Sequence, residues 1–151
     1  MHSLRIAIPA ALMLALTACG GSGGGNPFGG NTGYECQTGT QVELANPQSG
    51  QVGVPTNLGQ ITIVANGQAN NLYNTSNQWS VILTPNYGGY QQIDGGSLNL
   101  VSDPNGPHPY NSDFYYSSSI QGLPAGITWN AQLIQNNGSN CQPVPLGSFS
   151  T

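Results

Sequence analysis

Beyond position 34 the apolar residues of this chain fall two apart. Ile61 and Ile63, Trp79 with Val81 and Leu83, Leu98 with Leu100, and Trp129 with Ala131 and Leu133 each follow that spacing. It is the period of a strand with one face buried. No window after Tyr34 shows helical spacing, and Gly, Pro and Asn interrupt every long one. The pattern predicts strands at 41–45, 59–65, 79–84, 97–102, 114–120, 127–135 and 146–151. Turn-forming clusters separate them, among them "NPQSG", "ANGQANN", "DPNGPHP" and "NNGSN". The expected body is one all-β domain over 34–151.

The first eighteen positions are patterned differently. After Arg5 the chain is apolar from position 6 to 18, interrupted only by Pro9 and Thr17. Crossing a membrane takes about 20 apolar residues, so the run is too short to span. A basic start, a brief apolar core and small residues at its end predict a secretory signal peptide over 1–18. A buried first helix would need a polar face toward solvent, and this run has none. The run closes on "LTAC", in which Leu16, Thr17, Ala18 and Cys19 resemble the bacterial lipobox. The resemblance implies cleavage before Cys19, a diacylglyceryl group on its thiol and acylation of its new amino group. The lipid bilayer is then the first expected partner, because two or more acyl chains anchor stably where one is marginal. Gly20 in place of aspartate resembles the pattern sent to the outer membrane of Gram-negative cells. Residues 19–33 hold the lipidated cysteine and "GGSGGGNPFGGNTG", the composition of a flexible tether. Its 14 or so Gly-rich residues have a root-mean-square span of roughly 20 Å.

About seven short strands with turns at this rhythm are the signature of an immunoglobulin-like β-sandwich, with a small barrel or jelly roll as the alternative. Two segments add a resemblance. "NPQSGQVGVPTNLGQITIV", positions 46–64, is similar to the opening of bacterial Ig-like domains, through Pro47, Gly50, Val54, Pro55, Asn57, Ile61 and Ile63. "LPAGITWNAQL", positions 123–133, resembles the run into the sixth strand of such domains and of fibronectin type III domains, through Leu123, Gly126, Ala131 and Leu133. Trp129 stands where those families carry the tyrosine of a tyrosine corner. The closing "GSFST" is similar to their Phe-Thr-Thr ending. Positions 66–121 carry no such match. In a sandwich of this kind the start of the first strand and the loop between the sixth and seventh lie at one end. Cys36 and Cys141 fall at those two places, which favours a disulfide between them over two unpaired thiols. Two cysteines are too few ligands for a structural zinc.

Charge narrows the function classes. Past Cys19 the chain carries Glu35, Glu43, Asp94, Asp103 and Asp113 and no Lys or Arg, since Arg5 is the single basic residue. Nucleic-acid partners, which need Lys and Arg against phosphates, are therefore not expected. His108 sits in "SDPNGPHPY" between prolines, as an exposed turn would have it. Asp103, Ser112 and Asp113 lie near it, but no nucleophile motif accompanies them, and no catalytic residue or cofactor is expected. Asp103, Asn105, Asn111 and Asp113 offer oxygens of the kind calcium takes, without EF-hand spacing. No metal site is assigned, and calcium there stays open.

Tyr87 and Tyr90 fall in one expected loop, Tyr110 in another, and Tyr115 and Tyr116 on opposite faces of a strand. They either cover core edges or present rings to a sugar or protein. Asn74-Thr75-Ser76 and Asn137-Gly138-Ser139 match the glycosylation sequon. The expectation is a non-catalytic cell-envelope lipoprotein with an envelope protein or glycan as its further partner. A carbohydrate-binding module would show a planar row of exposed aromatics. A hydrolase would hold His108 within bonding reach of a serine or carboxylate.

Overall fold

The computed structural model describes residues 35–68, 71–136 and 140–151. The expected signal peptide, Cys19, the tether and the sequon at Asn137 lie outside the described residues. Eight strands run through the described part: β1 (Val42–Asn46), β2 (Gln60–Asn66), β3 (Trp79–Pro85), β4 (Ile93–Ser97), β5 (Asn99–Val101), β6 (Asp113–Ser119), β7 (Thr128–Gln135) and β8 (Val144–Ser150). They form two antiparallel sheets ordered β1-β2-β6-β5 and β4-β3-β7-β8. This is the immunoglobulin arrangement, an ABED sheet against a GFC sheet with one strand added beside C.

The alternating positions point between the sheets. Ile61, Ile63 and Ala65 of β2 meet Trp79, Val81 and Leu83 of β3 and Trp129, Ala131 and Leu133 of β7 in one buried cluster, with Tyr116 and Phe149. Asn130 faces solvent between Trp129 and Ala131, as period two requires. Trp79 Nε1 donates to Thr75 Oγ1 at 3.1 Å. Trp129 Nε1 and Tyr116 Oη are buried with no hydrogen-bond partner among the described residues.

Three expectations need correction. The strand expected at 97–102 is two pieces. At Leu98 the chain leaves one sheet for the other, so Leu98 is buried while Leu100 is about half exposed, and the pair shares no face. Strand β4 was not among the expected strands, since "IDGGS" shows no alternation of apolar residues. Its two glycines let β4 press against the opposite sheet. A Cβ on Gly95 would stand against Ser118 Oγ and 2.7 Å from Val81 O. In their absence Ser118 Oγ donates to Gly96 O at 2.6 Å, linking β6 to β4 across the sandwich. Finally, "ANGQANN" leads into α1 (Asn71–Asn74) and a 3₁₀ turn, Ser76–Gln78. Four residues are too few to show a helical period, yet α1 places Leu72 fully in the core. It is held there by Leu72 N–H to Thr38 O (3.0 Å) and Asn71 Nδ2 to Gln37 O (2.8 Å).

The outer edge of β8 is covered by other parts of the chain. Glu35 bridges Gln142 in parallel, and Cys36 N–H donates to Gln142 O at 2.9 Å. Further along, Gly50 N–H donates to Ser148 O (2.7 Å) and Ser150 N–H to Gln51 O (2.8 Å). Cys36 and Cys141 are disulfide-bonded, with Cα atoms 4.9 Å apart across a separation of 105 residues. In the chain-entropy account a loop of about 100 residues is worth roughly 4–5 kcal/mol.

Replacing both cysteines by serine is expected to lower the unfolding free energy by several kcal/mol in urea titrations, with a steeper slope because the uncrosslinked unfolded chain exposes more surface. In non-reducing gels the native chain should migrate faster than the reduced one, and as a monomer. Gly95→Ala is expected to cost about 1–3 kcal/mol through overpacking. Gly88→Ala, where nothing lies within 4 Å of the added carbon, should change stability by less than about 0.5 kcal/mol.

Candidate functional site

Two loop regions concentrate the candidate chemistry. The first is the β5–β6 connection, residues 102–112. Sequence reading made it an exposed proline-rich turn. In the structure it crosses the outer face of the β1-β2-β6-β5 sheet and covers it. Ala45, Val64 and Tyr115 form a second buried cluster there, with Val101 and Tyr110 packed against it. Tyr115 Oη donates to Pro107 O at 2.6 Å and so ties the loop to the sheet beneath. Tyr115 and Tyr116 point to opposite faces as expected, but both are buried rather than one being exposed. The signal for this cover was present in "IVA", positions 63–65, where Val64 is apolar at a position that a half-buried strand would make polar.

His108 sits over that cluster, its ring edge-to-face with Tyr115 at 6.1 Å. Its Nδ1 lies 3.1 Å from Asp113 Oδ2 and 3.1 Å from Tyr115 Oη, and its Nε2 lies 3.3 Å from Asp103 Oδ2. The other carboxylate oxygens are also taken: Tyr110 N–H donates to Asp113 Oδ1 (3.1 Å) and Asn105 N–H to Asp103 Oδ1 (2.8 Å). His108 is half exposed and Asp103 nearly so, whereas Asp113 is almost buried. Pairs exposed to this degree are worth about 0–1 kcal/mol each.

The condition set for a hydrolase, His108 near a carboxylate, is thus met twice over. A general base must also keep one ring nitrogen free to take a nucleophile's proton. Here both nitrogens face acceptors, and no serine or cysteine bonds to the ring among the described residues. The cluster works as a clasp that holds the loop. Of the oxygens suited to calcium, the two carboxylates are held apart: His108 separates Asp103 from Asp113, and each carboxylate accepts an N–H of its own loop. No group of three or more His, Cys, Asp or Glu is arranged around a common point among the described residues.

The second region is the β3–β4 loop, residues 86–92. Tyr87 and Tyr90 are 54% and 43% exposed, so they cover no core edge. Their rings stand edge-to-face, 6.0 Å apart at 87°, in place of a planar row. Asn74 of the first sequon is exposed at the end of α1.

Three tyrosines are shifted. Burial raises Tyr115, with the Asp113 and Asp103 carboxylates adding to the effect. Burial likewise raises Tyr110, helped by Glu43 and Asp113. Tyr116, in the inter-sheet core, is pushed up to about 12 by burial first and by Tyr73 second. No protein-family model matches the chain, and neither the curated proteins nor the solved structures contain a significant match to it.

The Tyr116 shift has a pH consequence. The folded chain keeps this phenolic proton where the unfolded chain, titrating near 10.0, has lost it. The stabilising contribution is therefore whole below pH 10 and is lost as pH rises from about 10 toward 12. Tyr116→Phe is expected to flatten that alkaline decline in urea midpoints. At neutral pH it should leave stability unchanged or slightly higher, because it removes a buried hydroxyl that has no partner.

Proposed function

We propose that this chain is a bacterial cell-envelope lipoprotein, anchored by lipid on Cys19, whose Ig-like domain is a non-catalytic interaction or structural module. The pairing of Cys36 with Cys141 carries the reading. It leaves Cys19 as the odd cysteine, at the end of an apolar run and inside "LTAC". Disulfides persist in oxidising compartments, which an exported protein meets. No helix among the described residues is long and apolar enough to cross a membrane. In this reading the attachment is made by acyl chains, to the outer membrane if the cell is Gram-negative.

The absence of Lys and Arg past Cys19 supports a partner other than nucleic acid. The non-catalytic assignment is supported by His108, whose ring nitrogens both face carboxylates. An envelope protein or a glycan is the further partner.

Cells fed a labelled fatty acid are expected to label this chain. Cys19→Ala should abolish the label and leave an uncut precursor or a released product. Equal labelling of the variant would refute the anchor assignment.

A further inference from the structure

Three of the four exposed large apolar side chains among the described residues, Val52, Tyr87 and Tyr90, gather at one end of the sandwich. A hydrogen-bonded row connects their loops. Ser150 N–H donates to Gln51 O (2.8 Å), Ser150 pairs with Thr128, and Asn86 N–H donates to Thr128 O (3.0 Å). Three strand spacings put the two loops roughly 14 Å apart. The connections at this end, residues 47–59, 86–92 and 120–127, contain no Asp, Glu, Lys, Arg or His. They expose amides instead, among them Gln51, Asn57, Asn86, Gln91 and Gln121. The nearest acid in sequence, Asp94, is occupied by Gln92 Nε2 at 2.6 Å.

We propose that this end binds soluble, neutral polysaccharide chains. An amide side chain both donates and accepts, which matches hydroxyl groups that do the same. A tyrosine ring supplies an apolar face with a polar tip, the complement of a sugar ring. A charged polymer finds no counter-charge in these loops. Because Tyr87 and Tyr90 are perpendicular, they offer a face and an edge rather than a platform. That geometry grips a single flexible chain and does not lie flat on a crystalline one.

The placement of the site adds a distance from the tether, and its bearing on the membrane rests on the lipoprotein reading. Strand β7 runs from Thr128 at the tyrosine end to Gln135 at the other, about 23 Å at strand rise. The N-terminal segment is fixed at that other end, through Cys36 N–H to Gln142 O and the disulfide. A chain held by lipid at its N-terminal side then keeps the tyrosines about one strand length from the point where the tether joins the domain, whichever way the flexible tether lets the domain turn.

The test is affinity electrophoresis of the full chain in detergent through native gels. The gels contain a soluble α-glucan, mixed-linkage β-glucan, xylan or galactomannan, with polygalacturonate as the charged control. Retardation is expected in at least one neutral gel and not in polygalacturonate. Tyr87→Ser and Tyr90→Ser should each weaken it about tenfold, as loss of an aromatic anchor does, with melting temperature unchanged. Pull-down on crystalline cellulose should be negative. Retardation in none of the neutral gels, or retardation that survives the double variant, overturns the proposal. So does a cell-surface protein crosslink that Tyr87→Ser abolishes while every neutral gel is silent, since the end would then serve a protein. The Cys19→Ala chain separates the two readings: its glycan retention depends only on the loops, and its fatty-acid label only on the anchor.

Discussion

Ile61, Ile63 and Ala65 on one face of β2, and Val64 on the other, all have to leave water. Burying an aliphatic side chain of this size is worth about 1.5–3 kcal/mol. A strand apolar on one face needs one partner layer, and this one needs two. The first is the opposite sheet, through Trp79, Val81, Leu83 and Trp129. The second is a loop: residues 102–112 are laid across the outer face, with Tyr110 packed on Ala45, Val64 and Tyr115. The details of that loop follow from this demand. Its prolines limit the entropy lost on ordering, Tyr115 ties it from below at Pro107, and the Asp103–His108–Asp113 row closes it from above. The residues that read in sequence as candidate active-site chemistry thus also fasten this cover.

The missing cations shape the rest. Among the described residues His108 is the one histidine, and no Lys or Arg is present. Apart from the His108 contacts, ion pairs therefore do not organise the surface, and neutral hydrogen bonds take that role. Examples are Thr151 Oγ1 to Pro124 O, Thr128 to Ser150 and Asn136 Nδ2 to Ser80 Oγ. Salt screening has little to act on in such a surface. Recognition by it is bound to rest on shape, rings and amide hydrogen bonds rather than on long-range steering.

Sequence alone made the sandwich legible where one rule operated at a time. Trp129, Ala131 and Leu133 alternate with solvent-facing residues and were placed correctly, and the two cysteines met where the fold puts them. It failed where two demands overlapped. Leu98 and Leu100 keep strand spacing, but the chain changes sheets between them, and no local signal marks that. Gly95 and Gly96 have the composition of a turn, although their smallness serves the close approach of β4 to Ser118, a contact 22 residues away for Gly96. Helix α1 spans four residues, shorter than the repeat that would reveal it. Residues 102–112 were legible as a loop, but their place over the sheet is announced only far upstream, by an apolar Val64 at an outward-facing position.

The same shortage of charge bears on how the sheet edges are protected. Exposed edge strands invite pairing with other chains, and lysines on the edge are a common defence. This domain has none to use. Its longest edge strand, β8, is instead covered by Glu35–Cys36 at one end and by Gly50, Gln51 and Val54 at the other. At the opposite side β5 is only three residues long, and the β3–β4 pairing is broken by an irregularity between Ser80 and Ile82. The disulfide belongs to this scheme, because it fixes the N-terminal segment on the β8 edge where backbone bonds alone would fray. With the β8 edge covered by backbone, strand addition there is a poor route to a partner. The loops that carry Tyr87 and Tyr90 are then the part of the surface where side chains, rather than an open ladder, are available for recognition.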